Sequence, residues 1–358
     1  MKFIHCADLH LDSKMESLPS EKSKIRREEI VRTFERPVDF AVENFVVAII
    51  ISGDMFDTKR VTSKTKERII SKINDNKNLD FIYLPGNHDD INFISEIEQI
   101  PVNLKVVTDK WSKFKYDNVV VSSIKLTAVN ALTSYDDLIL NEDEINIVAL
   151  HGQIADYKSS ESAEKISLPK LKDKYIDYLA LGHIHNYSNG QLDLRGKYAY
   201  CGCLDGRGFD ETGDKGFVLL NIENGKVFDE FVSFSSRRLA EYEFSVANKE
   251  SWIEVKNEII TYLEKNEDKS SLIKVVLTGE HEIDFNIDKE GLLYRLSESF
   301  FFCKVVDKTE LKIQTDDFLL DKSVRGEFVR LVFESDLTSE EKQRVIMFGI
   351  NALKGEDF

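Results

Sequence analysis

The chain has 358 residues, long for one domain and comfortable for two, with 42% hydrophobic and 31% charged residues, an ordinary globular composition. No apolar run approaches the ~20 residues that span a bilayer, and Met1-Lys2-Phe3-Ile4-His5 opens without an apolar leader core or cleavage site, so no membrane segment is expected and a cytoplasmic protein is predicted. The net charge of −16 speaks against the basic stripe of a nucleic-acid binder, unless bound cations add positive charge where composition counts only carboxylates.

Residues 2–6, Lys-Phe-Ile-His-Cys, read as a short buried strand. From Ser20 a charged stretch carries Ile25, Ile30, Val31 and Phe34 at helical spacing, and Pro37 is expected to end or kink that helix. Residues 46–52, Val-Val-Ala-Ile-Ile-Ile-Ser, form a continuous β-branched run, the pattern of a strand covered on both faces. A helix over 63–75 and a strand over 81–84, closed by Pro85-Gly86, come next, with further buried strands predicted at 119–124, 145–150 and 177–181. Strands alternating with helices predict a layered α/β domain over 1–235. Beyond Ser233–Arg238 the character changes. A helix near 250–264, a strand at 272–277, a helix near 289–299 and a strand near 301–306 predict a small α+β domain over 236–335. Thr338 with Glu341 three residues on has the spacing of a capping box and opens a last helix within 336–358. Cys6, Cys201, Cys203 and Cys303 form no C-x-x-C pair, so reduced structural thiols are predicted, and Cys201-x-Cys203 is too lone a pair for a zinc site.

Five short motifs follow five of these strands: Asp8-Leu9-His10, Gly53-Asp54, Gly86-Asn87-His88-Asp89, His151-Gly152 and Gly182-His183-Ile184-His185. Loops past the C-terminal ends of strands in an open α/β sheet converge on one crevice, where ligands bind. Asp8, His10, Asp54, Asn87, His151, His183 and His185 supply carboxylate, amide and imidazole donors together. That mixture suits two divalent ions of manganese, iron or zinc better than calcium, which takes only oxygen. Two such ions about 3.5–4 Å apart can stabilise charge on a phosphoryl oxygen and activate a water near neutral pH. The neighbouring glycines allow the tight turns that point these side chains back into the crevice. A lone D-x-H or G-D occurs by chance. The ordered set of five argues against a collection of unrelated core histidines.

This series resembles the calcineurin-like metallophosphoesterase superfamily over roughly residues 1–230. Ala7-Asp8-Leu9-His10-Leu11-Asp12 and Gly53-Asp54-Met55-Phe56-Asp57 are most similar to the SbcD-type DNA repair nucleases, the bacterial counterparts of the double-strand-break repair nuclease. Tyr200-Cys201-Gly202-Cys203, Gly206-Arg207-Gly208-Phe209-Asp210-Glu211 and Lys215-Gly216 resemble the segment after the last histidine motif there, although Cys201 stands where a proline is usual. The resemblance implies a four-layer α/β/β/α metallophosphoesterase core with a small C-terminal α+β capping domain. It implies one ion on Asp8, His10, Asp54 and His185, and a second on Asp54, Asn87, His151 and His183, with Asp54 bridging. His88 is implied to be a catalytic non-ligand, a natural proton donor to an alkoxide. Some family members carry a further histidine where this chain has Asp57, so the resemblance implies no second catalytic histidine there; Asp57 or Asp89 is expected to accept a hydrogen bond from a ligand imidazole.

The implied activity is a two-metal DNA exonuclease or endonuclease, using Mn2+ with Fe2+ or Zn2+ as alternatives. It would act on DNA ends or single strands, with an SMC-like ATPase of the SbcC type as partner and a homodimer as an option. A phosphatase or cyclic-nucleotide phosphodiesterase on the same core is the alternative, disfavoured by the extension after residue 235. A non-catalytic scaffold is the third reading, disfavoured by the intact ligand set. Other conspicuous residues are expected to be structural: His5 in the core, His281 on the surface among acidic neighbours, Cys6 buried, Phe300-Phe301-Phe302 a buried strand rather than a base-stacking platform, and Arg237-Arg238 a solvated linker pair. Val345, Phe348 and Ala352 lie on one side of the last helix, a candidate docking face or a packing face in equal measure.

Overall fold

The computed structural model describes residues 1–15, 17–57, 61–89, 93–131, 133–155, 165–282, 284–312 and 321–354. They fall into two compact units, Met1–Leu239 and Ala240–Phe358. In the first, chain order gives β1 (Lys2–Cys6), α1 (Ser20–Glu43), β2 (Val46–Ser52), α2 (Ser63–Asp75), β3 (Asp80–Leu84), β4 (Leu104–Val106), β5 (Ser112–Tyr116), β6 (Val119–Ser123) and β7 (Ile145–His151). The short β8 (Gln153–Ile154), β9 (Lys165–Ile166) and α3 (Leu168–Leu171) precede β10 (Tyr178–Gly182), β11 (Ser188–Gln191), β12 (Lys197–Tyr200), β13 (Gly216–Glu223) and β14 (Lys226–Ser233).

Two six-stranded sheets result, in the orders β14-β13-β1-β2-β3-β4 and β11-β12-β10-β7-β6-β5. β1 to β4 run parallel in the first sheet, and β6, β7, β10 and β12 run parallel in the second. Phe3, Ala48, Ile50 and Ile82 of one sheet share a buried cluster with Val119, Val121, Ile147, Ala149 and Ala180 of the other. The intervening residues Val148, Leu150, Leu179 and Leu181 belong to a separate cluster with Leu171 and Ile176. Side chains alternate across a strand, so burial on both faces demands an apolar residue at every position, which explains the unbroken β-branched runs. Over the outer face of the first sheet, Phe34 of α1 meets Phe81 with ring centroids 6.0 Å apart, and Phe40 meets Phe217 at 5.2 Å. The layer over the second sheet is built mostly of irregular segments around Tyr135 and Leu138, with α3 beside them. Among the described residues, no helix is long and apolar enough to cross a membrane.

Pro37 does not end α1, which runs six residues further to Glu43 with Pro37 inside it and buried. Packing of Ile30, Val31, Phe34, Val38 and Ala41 in the core outweighs the cost of a missing helical hydrogen bond, about 3 kcal/mol. Ile25 is exposed, unlike the other apolar residues of that helix read from the sequence. The hairpin of β13 and β14 was not anticipated, although its Asn224-Gly225 turn, with φ of 50° and 74°, is the strongest short hairpin signal a sequence carries.

In the second unit, β15 (Leu239–Ser245), α4 (Trp252–Asn266), β16 (Leu272–Thr278), β17 (Glu280–His281), α5 (Lys289–Ser299), β18 (Phe302–Asp307), β19 (Glu310–Leu311), α6 (Val324–Glu334) and α7 (Ser339–Lys354) follow. The sheet β15-β16-β18 packs Ile273, Val275 and Leu277 against Val255, Ile259 and Leu263 of α4 and Leu292 and Leu296 of α5. Of the Phe300–Phe302 run, read as a buried strand, Phe300 is buried in this cluster, while Phe301 and Phe302 are half-buried and the strand begins only at Phe302. The capping box forms: Thr338 N donates to Glu341 Oε2 at 2.8 Å and Glu341 N to Thr338 Oγ1 at 3.4 Å. Helix α6 was not anticipated; its Val329 and Val332 pack with Ile346 of α7, while Val345, Phe348 and Ala352 are exposed.

Candidate metal centre

Each motif sits where its strand ends. The chain leaves β1 at Cys6 and reaches Asp8, leaves β2 at Ser52 and reaches Asp54, leaves β3 at Leu84 and reaches Asn87; β7 ends on His151, and β10 ends one residue before His183. The first two loops are zipped together by Asp8 N to Gly53 O at 3.0 Å, His10 N to Asp54 O at 3.1 Å and Leu11 N to Met55 O at 2.9 Å. Asp8, His10, Asp54 and His183 all adopt positive φ, at 52°, 46°, 51° and 100°. That left-handed backbone costs about 1–2 kcal/mol per non-glycine residue, and such strain concentrates at functional sites. Gly53, at φ +96°, is required for a second reason: a Cβ there would stand 2.0 Å from His151 Nδ1. A Cβ on Gly86 would stand 2.1 Å from Asp54 Oδ1.

The seven residues singled out in the sequence come together as two groups. Asp8, His10 and His185 bring ligand atoms within 4.8 Å of one another, as do Asp54, His151 and His183. Asn87 joins the second group through its Oδ1, 3.0 Å from His151 Nε2. His183 N donates to both oxygens of Asp8, at 3.1 and 3.0 Å, which ties the two groups together. Asp54 also stands between them: its Oδ2 is 3.3 Å from His151 Nε2, its Oδ1 accepts from His88 N at 3.0 Å, and its charge acts on His10. His88 is exposed, with its ring centroid 5.4 Å from that of His10.

The hydrogen positions show what the groups are suited to hold. The Ser52 carbonyl can only accept, so His151 Nδ1, 2.9 Å from it, carries a hydrogen. His151 Nε2 then faces Asn87 Oδ1 and Asp54 Oδ2. Glu211 Oε1 lies 2.7 Å from His185 Nδ1, which turns His185 Nε2 toward His10 Nε2 at 3.2 Å. With a neutral His151 that is a lone pair facing a carboxylate, an arrangement that a proton or a cation satisfies. The donor set therefore fits two divalent ions.

Electrostatics agree. Burial pushes Asp8 up to about 7 against the pull of His151 and His185. Burial also opposes charge on His151, but its bond to Asp54 outweighs that and raises it to about 9. Burial acts on Asp54 in the same upward sense and is overcome by His151 and the His88 N–H, which hold it well below the carboxylate range. His10 is lowered by burial, and His185 is raised by its bond to Glu211. Protons thus occupy the places that cations would take.

Of the expected imidazole acceptors, Asp57 does approach His10 Nδ1, with its Oδ1 at 3.2 Å. Asp89 does not serve a histidine. It accepts Phe56 N at 2.8 Å and Gly86 N at 2.7 Å, holding two ligand loops. Glu211 was missed as the acceptor for His185, as were Arg207, which bonds both Glu211 and Asp57, and Lys215, which is 2% exposed and donates to His185 O at 2.8 Å. Charged residues within a glycine-containing stretch just after the last histidine motif were the available signal. His5 is a core residue bonded to Tyr178 OH at 3.0 Å; His281 is half-buried in the second unit. The four cysteines are free and buried. Arg237 corrects its expectation: it is not simply solvated but forks onto Glu29, with Nε and Nη2 2.9 and 2.7 Å from its oxygens.

Residues 1–187 match the family described as calcineurin-like phosphoesterase. The chain is 26% identical over 297 residues to the DNA double-strand break repair protein Mre11 of Sulfolobus acidocaldarius, covering 78% of this chain and 75% of the relative. It is 22% identical over 386 aligned positions to the protein of the same name from Saccharolobus solfataricus, covering 100% and 96%. It is 26% identical over 251 residues to the uncharacterized metallophosphoesterase YhaO of Bacillus subtilis, covering 64% and 60%. Among solved structures, TT1561 of Thermus thermophilus superposes with a TM-score of 0.44 at 13% identity, covering 64% of this chain and 98% of that one.

Proposed function

The chain belongs to the calcineurin-like phosphoesterase family, and from that premise we propose that it is a two-metal DNA nuclease that hydrolyses phosphodiester bonds. The observation that carries this reading is the convergence of imidazole, carboxylate and amide acceptors into two adjoining groups. In this reading Asp8, His10 and His185 would hold one ion, Asn87, His151 and His183 would hold the other, and Asp54 would be shared between them. Manganese is the preferred metal, with iron or zinc as alternatives for this N/O donor set. When bound, two such ions lower the pKa of a water and draw charge from the phosphoryl oxygens. The protein's own contribution is placement, and His88, exposed beside His10, is suited to deliver a proton to the leaving oxygen.

DNA is favoured over a small phosphate ester because relatives named for DNA double-strand break repair align over the whole chain, the second unit included. In this reading the second unit helps select DNA ends. Duplex DNA carries one charge per ~1.7 Å of axis, and a chain at −16 repels it except near the cations. The protein therefore acts on ends or single strands, and an SMC-like ATPase of the SbcC type supplies basic surface, with the exposed Val345, Phe348 and Ala352 of α7 as a docking face.

The test pairs two substrates. Purified protein with Mn2+ is offered end-labelled DNA and bis(p-nitrophenyl) phosphate, with and without chelator. Chelator-sensitive degradation of DNA is expected. Turnover of the small diester with DNA untouched by full-length protein overturns the nuclease reading in favour of a small-substrate phosphodiesterase. A chain truncated after Leu239 should keep the small-diester activity and lose DNA cleavage; DNA cleavage equal to the full chain's removes the second unit from substrate selection.

A further inference from the structure

The side chains behind His10 and His185 meet on one guanidinium. Arg207 Nη1 donates to Asp57 Oδ1 at 2.7 Å, Nη2 to Glu211 Oε1 at 2.6 Å, and Nε to Glu211 Oε1 at 3.2 Å, while the Arg207 backbone N donates to Glu211 Oε2 at 2.8 Å. Asp57 Oδ1 lies 3.2 Å from His10 Nδ1, and Glu211 Oε1 lies 2.7 Å from His185 Nδ1. The same two oxygens thus receive the guanidinium on one side and an imidazole on the other. The second group has no counterpart of this kind for His151, whose Nδ1 is held by the main-chain carbonyl of Ser52.

We propose that Arg207 is the positioning residue of the first metal subsite, clamping the two carboxylates that aim the imidazoles of His10 and His185 at one ion. This rests on the two-ion reading above. Two carboxylates drawn together beside two metal-ligating histidines repel one another, and a planar fork that bonds both is the side chain that removes the repulsion while fixing their geometry. A purely stabilising role is a weaker account, because a largely buried ion network contributes little net stability once its desolvation is counted. A direct grip on substrate phosphate does not fit, since Nε, Nη1 and Nη2 are each already engaged with carboxylates and the side chain is 19% exposed. Lys215 acts elsewhere, pinning the His185 carbonyl rather than the ring.

The experiment is calorimetric titration of metal-free, full-length protein with Mn2+, together with electron paramagnetic resonance at two equivalents. Wild type is expected to bind two ions and to show the spin-coupled pair. In Arg207→Ala one binding step should weaken by about 10–100-fold, the range for losing a group that orients a metal ligand, while the other step stays unchanged. The coupled signal should give way to that of an isolated ion. Arg207→Lys should not restore the weak step, because one ammonium cannot span both carboxylates. If Arg207→Ala fails to fold, Glu211→Gln, which keeps the volume, must show the same selective loss. Unaltered steps and a retained pair signal overturn the proposal. So does equal weakening of both steps with a lowered unfolding midpoint of the metal-free protein, which is the mark of a merely structural residue. Fewer than two ions in wild type sinks the two-ion reading itself, an outcome distinct from two ions bound equally well by both proteins.

Discussion

The two halves of the candidate metal centre orient their histidines by different means. In the half built on Asp54, His151 and His183, the His151 ring is fixed by a backbone carbonyl at the end of β2, and Gly53 leaves no space for anything but hydrogen beside it. In the half built on Asp8, His10 and His185, the rings lean on Asp57 and Glu211, brought from separate loops and joined by Arg207. The first arrangement rests on the main chain. The second depends on side chains that single substitutions can remove, so the two halves should fail separately and under different insults.

The largest effect should come from the residue that stands in both halves. Asp54→Asn is expected to lower turnover on the order of 10³-fold or more, because several kcal/mol of charge stabilisation goes with the ions, and metal analysis should find both subsites depleted. Two ions at full activity in that variant would remove Asp54 from the bridging position. His88→Gln should break neither half. It is expected to keep two ions and lose about 10²-fold or more in turnover, the typical contribution of a proton donor. Loss of metal alongside activity would make His88 a ligand and the assigned role wrong.

Titration separates the halves at equilibrium. Without ions His151 is held up to about 9 by Asp54, despite burial, and Asp8 is pushed up to about 7 by burial. A ligand must shed its proton to bind a metal, so binding below pH 9 releases one proton from His151, and below pH 7 a second from Asp8. Mn2+ affinity should therefore fall roughly tenfold per pH unit below 9 at the subsite of His151, and with the same slope only below 7 at the subsite of Asp8. Equal calorimetric enthalpies in buffers of different ionisation heat at pH 8 would show that no proton leaves and refute the assignment. The smallest effect is expected at Asp57→Asn. Its oxygen stands 3.2 Å from His10 Nδ1, against 2.7 Å between Glu211 and His185 Nδ1, so the first subsite should weaken by less than in Glu211→Gln, toward or below the low end of the 10–100-fold range for such groups. A larger loss at Asp57 than at Glu211 would reverse the order of importance given to the two carboxylates.

Legibility followed the range of each signal along the chain. The strands at 46–52, 145–150 and 177–181 could be read because burial on both faces leaves an unbroken apolar run, and all seven metal-binding candidates could be read because each lies in a short motif that follows or closes a strand. Of the two outcomes expected at Pro37, an end and a kink, the end did not occur, because packing of the residues around it overruled the local rule about helix breaking. Asp89 was half-read. A carboxylate beside a ligand histidine invites the role of imidazole acceptor, yet it is Phe56 N and Gly86 N that it binds. Arg237 was read as solvated because nothing near it in sequence foretells Glu29, 208 residues away.

By itself the sequence determined the buried parallel strands, the loops that follow them and the kind of chemistry their donors suit, since each of those rests on residues within a few positions of one another. Only the tertiary structure decided which acceptor takes each imidazole's hydrogen, and so where its other nitrogen points. Arg207 and Asp57 are 150 residues apart in the chain, and His183 and Asp8 are 175 apart. Hydrogen bonds act over about 3 Å, so pairings at such separations are set by how the sheets bring their edges together, and no periodicity or local motif records them.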